Sequence, residues 1–157
     1  MAHDPYQRLD ALGIRLHTPS VPSANFLHVV EIGDVLYVSG QGPREASGPV
    51  HTGKVGARVS TKDAHQHARI VGINLLAVLH HHLGDLRRVR RIVKLLGMVN
   101  CAPDFTEHPE VINGCSDLLV DVLGPDVGKH ARSAVGFASL PRQITVEIEM
   151  IAAIRPA

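Results

Sequence analysis

The run "ITVEIEMIAAI", residues 144–154, holds two glutamates in an otherwise apolar stretch, and "HARSAVGF", 130–137, opens a second such run with an arginine. Charged groups in strand-like segments cost folding free energy unless water or a partner faces them. Alternation sends Val146, Ile148 and Met150 to one side and Glu147, Glu149 and Ile151 to the other, with the carboxylates about 7 Å apart. A carboxylate can accept and return a proton, and a guanidinium fork can grip a carboxylate at two points. Two readings follow from the residues alone. The glutamates are solubilising groups on a wet face, or one of them faces a pocket with Arg132 as its positive counterpart. An exposed arginine at a strand start is common and does not decide between them.

Other chemistry-bearing groups are less pointed. Eleven histidines invite a metal reading, densest at His65-Gln66-His67 and His80-His81-His82. Neighbours one or two apart on a helix point to different faces, there is no H-E-x-x-H, and Cys101 and Cys115 do not stand at zinc spacing. We expect no metal. "LRRVRRIVK", 86–94, could touch phosphate, but most such runs are solvated and no glycine-rich phosphate loop accompanies it. Cys115 falls on an apolar helix stripe and reads as core, and nothing in the sequence activates Cys101.

These residues must be positioned by a chain of 157 residues, long enough for one domain with a proper core. A formal charge of +1 gives no push toward nucleic acid or anionic membrane. Only three Phe, two Tyr and no Trp are available, too few for a base-stacking platform. No segment approaches 18 uninterrupted apolar residues, and the N-terminus lacks the basic flank and apolar run of a signal peptide, so a cytoplasmic, membrane-free protein is expected.

The spacing of Leu9, Leu12 and Leu16 predicts a short helix over 5–16, followed by a proline-containing arm. "FLHVVEIGDVLYVSGQGP" predicts a hairpin around Gly33-Asp34, its second strand ending at Ser39-Gly40-Gln41-Gly42. "HTGKVG" offers a short further strand. Ser60 with Asp63 opens a helix over 61–83 whose Ala64, Ala68, Val71, Leu75, Leu79 and Leu83 share a face, closed by Gly84. A strand over 88–100, a helix over 107–123 and strands near 132–138 and 144–154 complete an α+β order with both helices on one sheet face. The other face lacks cover, which points to association with copies of the same chain.

"LYVSGQGP" (36–43), "ARSAVGFASLP" (131–141) and "VEIEMIA" (146–152), in this order and spacing, resemble the RidA/YjgF family, also called the endoribonuclease L-PSP or translation-inhibitor group. The resemblance covers residues 26–153 and divides the chain into an extension over 1–25 and a RidA/YjgF-like domain over 26–157. It implies a chorismate-mutase-like fold, a six-stranded mixed sheet with two helices on one face, closed into a trimeric barrel with sites in the subunit clefts. It also implies hydrolysis of reactive 2-imino acids or enamines to 2-keto acids and ammonia, without a cofactor. By position, Arg132 matches the family's carboxylate-clamping arginine and Glu147 the glutamate that holds or activates water. Asn113, Ser39, Gly40 and Gln41 match other pocket positions. Phe26 stands where the family has a tyrosine, and Ala134 where a cysteine is frequent. A non-catalytic metabolite-binding trimer and an RNA-directed activity are the alternative readings. The expected partner is a small carboxylate-bearing metabolite.

Overall fold

Where the apolar period is two the chain forms strands, and where it is near 3.6 it forms helices. The computed structural model describes residues 4–156. In chain order they form α1 (Pro5–Ala11), β1 (Val29–Ile32), β2 (Val35–Gln41), α2 (Thr61–Leu83), β3 (Val89–Asn100), α3 (His108–Leu123), α4 (Pro125–Gly128), β4 (Ala131–Phe137) and β5 (Val146–Ile154). One sheet has the order β1-β2-β5-β3-β4. Its neighbours pair antiparallel except β3 with β4, which run parallel through the α3 crossover.

The two long helices, α2 and α3, start and stop close to where the sequence predicts. The Ser60 hydroxyl accepts the Asp63 N–H at 3.0 Å and donates to the Asp63 carboxylate at 2.7 Å, while Gly84 closes α2 at φ 74°. The expected α2 stripe is buried from Ala64 to Leu83, and Val111, Cys115, Leu118 and Val122 of α3 are fully inaccessible. Both helices lie on the same sheet face. Close approach is bought with missing side chains. A Cβ on Gly114 would run into the His65 carbonyl and, at 3.1 Å, the Arg69 backbone nitrogen of α2, and one on Gly97 of β3 would stand 2.6 Å from Ile112 of α3.

Three expectations need correction. The sheet has five strands, not six. "HTGKVG" makes only isolated bridges, Thr52 to Ile144 and Val55 to Val59 and Cys101, because Gly53 (φ 119°) and Gly56 (φ 83°) turn the chain out of extended geometry. The first helix ends at Ala11 and not at residue 16: Gly13 takes φ 67°, and Leu16 packs against the core from a non-helical segment. The four-residue α4 has no counterpart among the predicted elements.

The face away from the helices carries apolar groups without cover from this chain, among them Ile32 (65% exposed), Tyr37 (48%) and Phe137 (38%). It also carries Lys94, whose ammonium donates to the Ser133 hydroxyl at 2.9 Å. No helix of the described residues is long and apolar enough to cross a membrane.

Because the α2–α3 contact at Gly114 is backbone to backbone, neither side can yield by rotating a side chain. Gly114→Ala is expected to lower unfolding free energy by about 2–3 kcal/mol in a denaturant titration. A loss under about 0.5 kcal/mol would mean the helices have room to part.

Candidate functional site

Parallel pairing fixes where Arg132 points. Its register partner is Leu95, which is fully buried under the helices, so Arg132 leaves edge strand β4 on the helix side. There Nη1 donates to Asn113 Oδ1 at 2.8 Å and to Ser116 Oγ at 3.1 Å. Asn113 and Ser116 stand three apart on α3 and therefore share a face. Ser116 Oγ lies 3.0 Å from His130 Nε2, and His130 Nδ1 lies 2.6 Å from the Gly128 carbonyl. Since a carbonyl only accepts, Nδ1 carries the proton, Nε2 accepts from the serine, and the serine oxygen is left to accept from the arginine. Burial, with Arg132 adding to it, holds His130 below the usual imidazole range, which keeps this chain of bonds intact near neutral pH.

The guanidinium is thus oriented by neutral acceptors. It makes no ion pair among the described residues, and Nη2 and Nε carry no hydrogen bond there. Ala134, two residues on, lies on the same side and packs against the core edge.

Glu147 belongs to a second cluster. Its register partner is Met98, and it points to the open face, half-buried, while Glu149 is exposed. Burial pushes its carboxyl above the usual range, with Glu149 adding to the rise. The carboxylate lies directly over Gly40, where any Cβ would collide with Glu147 Oε1. That is the physical reason a glycine suits this position. The β2 register shifts between Val38 and Gln41, so the Ser39-Gly40-Gln41 segment is an irregularity that makes room for the carboxylate. Ser39 Oγ donates to the Leu27 carbonyl at 2.7 Å, and Gln41 Nε2 to the Ser39 carbonyl at 3.1 Å. Phe26 is 48% exposed, its ring edge-on to His28 at 6.1 Å.

Within one chain the residues singled out from sequence therefore form two groups on opposite faces of the sheet. Arg132, Asn113 and Ala134 lie on the helix side and Glu147 on the open face over Gly40, while Ser39 and Phe26 stand near the β2 end and Gln41, in register with buried Ile148, lines a cavity with Asn74 of α2. Ser116, His130 and His28 were not singled out. The i, i+3 spacing of Asn113 and Ser116 was the available signal for Ser116; His130 and His28 give none locally.

The remaining constellations disperse. His80 Nδ1 meets the Tyr6 hydroxyl at 3.0 Å, His82 meets Glu31 at 2.8 Å, and His67 meets the Thr145 hydroxyl at 3.0 Å. Among the described residues no three potential metal ligands cluster. Within "LRRVRRIVK", Arg87 pairs with Asp4, Arg90 with Asp34, and Arg88 donates to the Leu83 carbonyl, so the run presents no single phosphate cradle. Cys101 Sγ lies 3.4 Å from His108 Nε2, yet burial pushes its thiol up, with Lys54 only partly opposing. Cys115 is pushed up to about 12 by burial.

The chain belongs to the family described as "YjgF/chorismate mutase-like, putative endoribonuclease", which it matches over residues 6–153. It is 41% identical over 143 residues to Protein TCP17 of Trypanosoma cruzi, covering 91% of this chain and 89% of that one. Among solved structures it is similar to protein Atu1372 of Agrobacterium tumefaciens, with 42% identity, a TM-score of 0.89, and coverage of 96% of this chain and 92% of the other. It is also similar to a Shewanella oneidensis protein described as a putative endoribonuclease, with 27% identity, a TM-score of 0.91, and coverage of 96% and 99%.

The raised carboxyl of Glu147 has a consequence for stability. The folded chain holds this proton more tightly than the unfolded one, so stability from this group is present at low pH and is lost as pH rises from 4.5 through the elevated folded value. Glu147→Gln, which mimics the protonated form, is expected to melt higher than the parent near pH 7, with the difference closing near pH 4. A variant less stable than the parent near pH 7 would contradict burial as the cause.

Proposed function

We propose that the protein is a hydrolytic deaminase of small imines or enamines that bear a carboxylate, giving a keto acid and ammonia. The observation that carries this reading is the Arg132 guanidinium, held in place by Asn113 and Ser116 and left without an anionic partner. It suits a substrate carboxylate bidentately.

Glu147 supplies the complementary chemistry. An iminium carbon is already electrophilic, so the protein needs to orient the substrate and deliver water. The Glu147 carboxylate takes a proton from water as the oxygen bonds to the imine carbon, giving a carbinolamine. Returning that proton to nitrogen lets the C–N bond break and ammonia leave, while the hydroxyl gives its proton to the Glu147 carboxylate as the carbonyl forms. A carboxyl raised by burial is a better base for this task than an ordinary exposed one. Because Arg132 and Glu147 lie on opposite faces of one sheet, a cleft using both takes the arginine from one copy and the glutamate from another. The uncovered apolar face supports such an assembly, which we propose to be a homotrimer.

One observation favours a second reading, a metabolite-binding module without catalysis. Phe26 presents a half-exposed phenyl ring edge-on to His28, near the Ser39 end of β2, without a hydroxyl to bond water or the imine nitrogen.

The test follows ammonia release from imino acids formed in place by an amino-acid oxidase. Arg132→Ala is expected to lose at least about 100-fold in kcat/KM while light scattering shows an unchanged oligomer. Wild-type-like rates in that variant would reject the carboxylate clamp. No release by the parent chain, together with saturable keto-acid binding, would favour the module. The rate of the active enzyme should also fall on the acid side from a higher pH than an unshifted carboxylate gives, and Glu147→Gln should abolish that limb.

A further inference from the structure

One cavity holds neither Arg132 nor Glu147 in its wall, though Gln41 borders it. It measures about 540 Å³ and lies between the arm at His17–Ser20, the α2 residues Asn74 and Val78, the loop after β2, and the turn at Pro141–Ile144. A smaller cavity of about 290 Å³ adjoins it and shares His17, Arg44 and Asn74. The first is within the size range of small-ligand pockets.

Three arginines border this space: Arg44 and Arg142 in the larger cavity, Arg15 and again Arg44 in the smaller. None of the three forms an ion pair among the described residues. Glu45 is the one carboxylate in either lining, and its Oε1 is already engaged by His51 at 2.7 Å. Asn74, nearly buried, donates to the Gly42 and Arg44 carbonyls at 2.9 and 3.0 Å and so fixes the loop that carries Arg44.

The backbone adds an independent observation. Arg142 (φ 53°) and Gln143 (φ 59°) are consecutive non-glycine residues in the left-handed region, a strained arrangement. Gln143 has an internal reason to be there: its carbonyl accepts from Gly53 at 2.8 Å and its side chain accepts from buried Asn100 at 3.3 Å. Arg142 shares with it the centre of a turn closed by the Ile144 N–H on the Pro141 carbonyl at 3.2 Å. The Arg142 side chain makes no hydrogen bond among the described residues, and the turn carries the residue into the cavity wall.

We propose that this cavity is a binding site for a small dianionic metabolite, a phosphate monoester or a dicarboxylate, gripped by Arg142 and Arg44 beneath the N-terminal arm. Guanidinium forks match the planar and tetrahedral oxygens of either group. The site is separate from Arg132 and does not depend on the deaminase reading.

Calorimetric titration of the full chain with inorganic phosphate, glycerol 3-phosphate and succinate tests the proposal, with acetate at matched ionic strength as control. Saturable binding of at least one dianion, and not of acetate, is expected; which dianion binds identifies the source. Arg142→Gly relieves the backbone strain while removing the guanidinium. It should keep or raise the melting temperature yet bind at least about tenfold more weakly, as should Arg44→Gln. Arg90→Gln, at an exposed ion pair elsewhere, should bind as the parent does. No saturable binding, equal binding of acetate, or unchanged affinity in both cavity variants would each overturn the assignment.

Discussion

Helices cover one face of the five-stranded sheet and leave the other bare, and the role of almost every notable residue follows from which face it occupies. On the covered side, alternate strand positions are apolar and packed under α2 and α3, so a charge can survive only at the margin, where helix groups can reach it. Arg132 sits at such a margin, on edge strand β4. On the bare side, carboxylates are tolerated because water or another copy can face them. Glu147 differs from Glu149 in being half-buried over Gly40, which is what raises its proton affinity.

This partition gives the proposed chemistry its geometry. An arginine and a glutamate on opposite faces of one sheet cannot serve one small substrate from the same chain. They can do so when the edge of one sheet meets the open face of another. Orientation of the guanidinium then depends on the Asn113, Ser116 and His130 bonds, in which the single proton on His130 Nδ1 sets the direction of each donor.

Legibility in the sequence followed the range of the interactions. Local periodicities gave α2 from its Ser60 cap to its Gly84 stop, the hairpin at Gly33, and the alternation of β5. The "HTGKVG" segment misled because β-branched Thr52 and Val55 suit a strand, whereas two positive-φ glycines interrupt it. The three motif blocks identified the family, which the match over residues 6–153 shows. The faces of Arg132 and Glu147 relative to each other were out of reach, because they depend on the parallel β3–β4 register set across the α3 crossover. His130 escaped because its partner Ser116 sits on a preceding helix 14 residues away. The cavity under the N-terminal arm escaped because it is assembled from segments as distant in the chain as residues 17, 74 and 142.

A complementation measurement bears most directly on a site shared between copies. Arg132→Ala and Glu147→Ala chains, each inactive alone, are co-expressed in equal amounts and assayed for ammonia release from an imino acid. If each cleft draws its arginine and its glutamate from different copies, about a quarter of the clefts regain both groups and about a quarter of the parent rate returns. Absence of any recovery in verified mixed oligomers would contradict the account, since two defective chains can restore a site only when they share it.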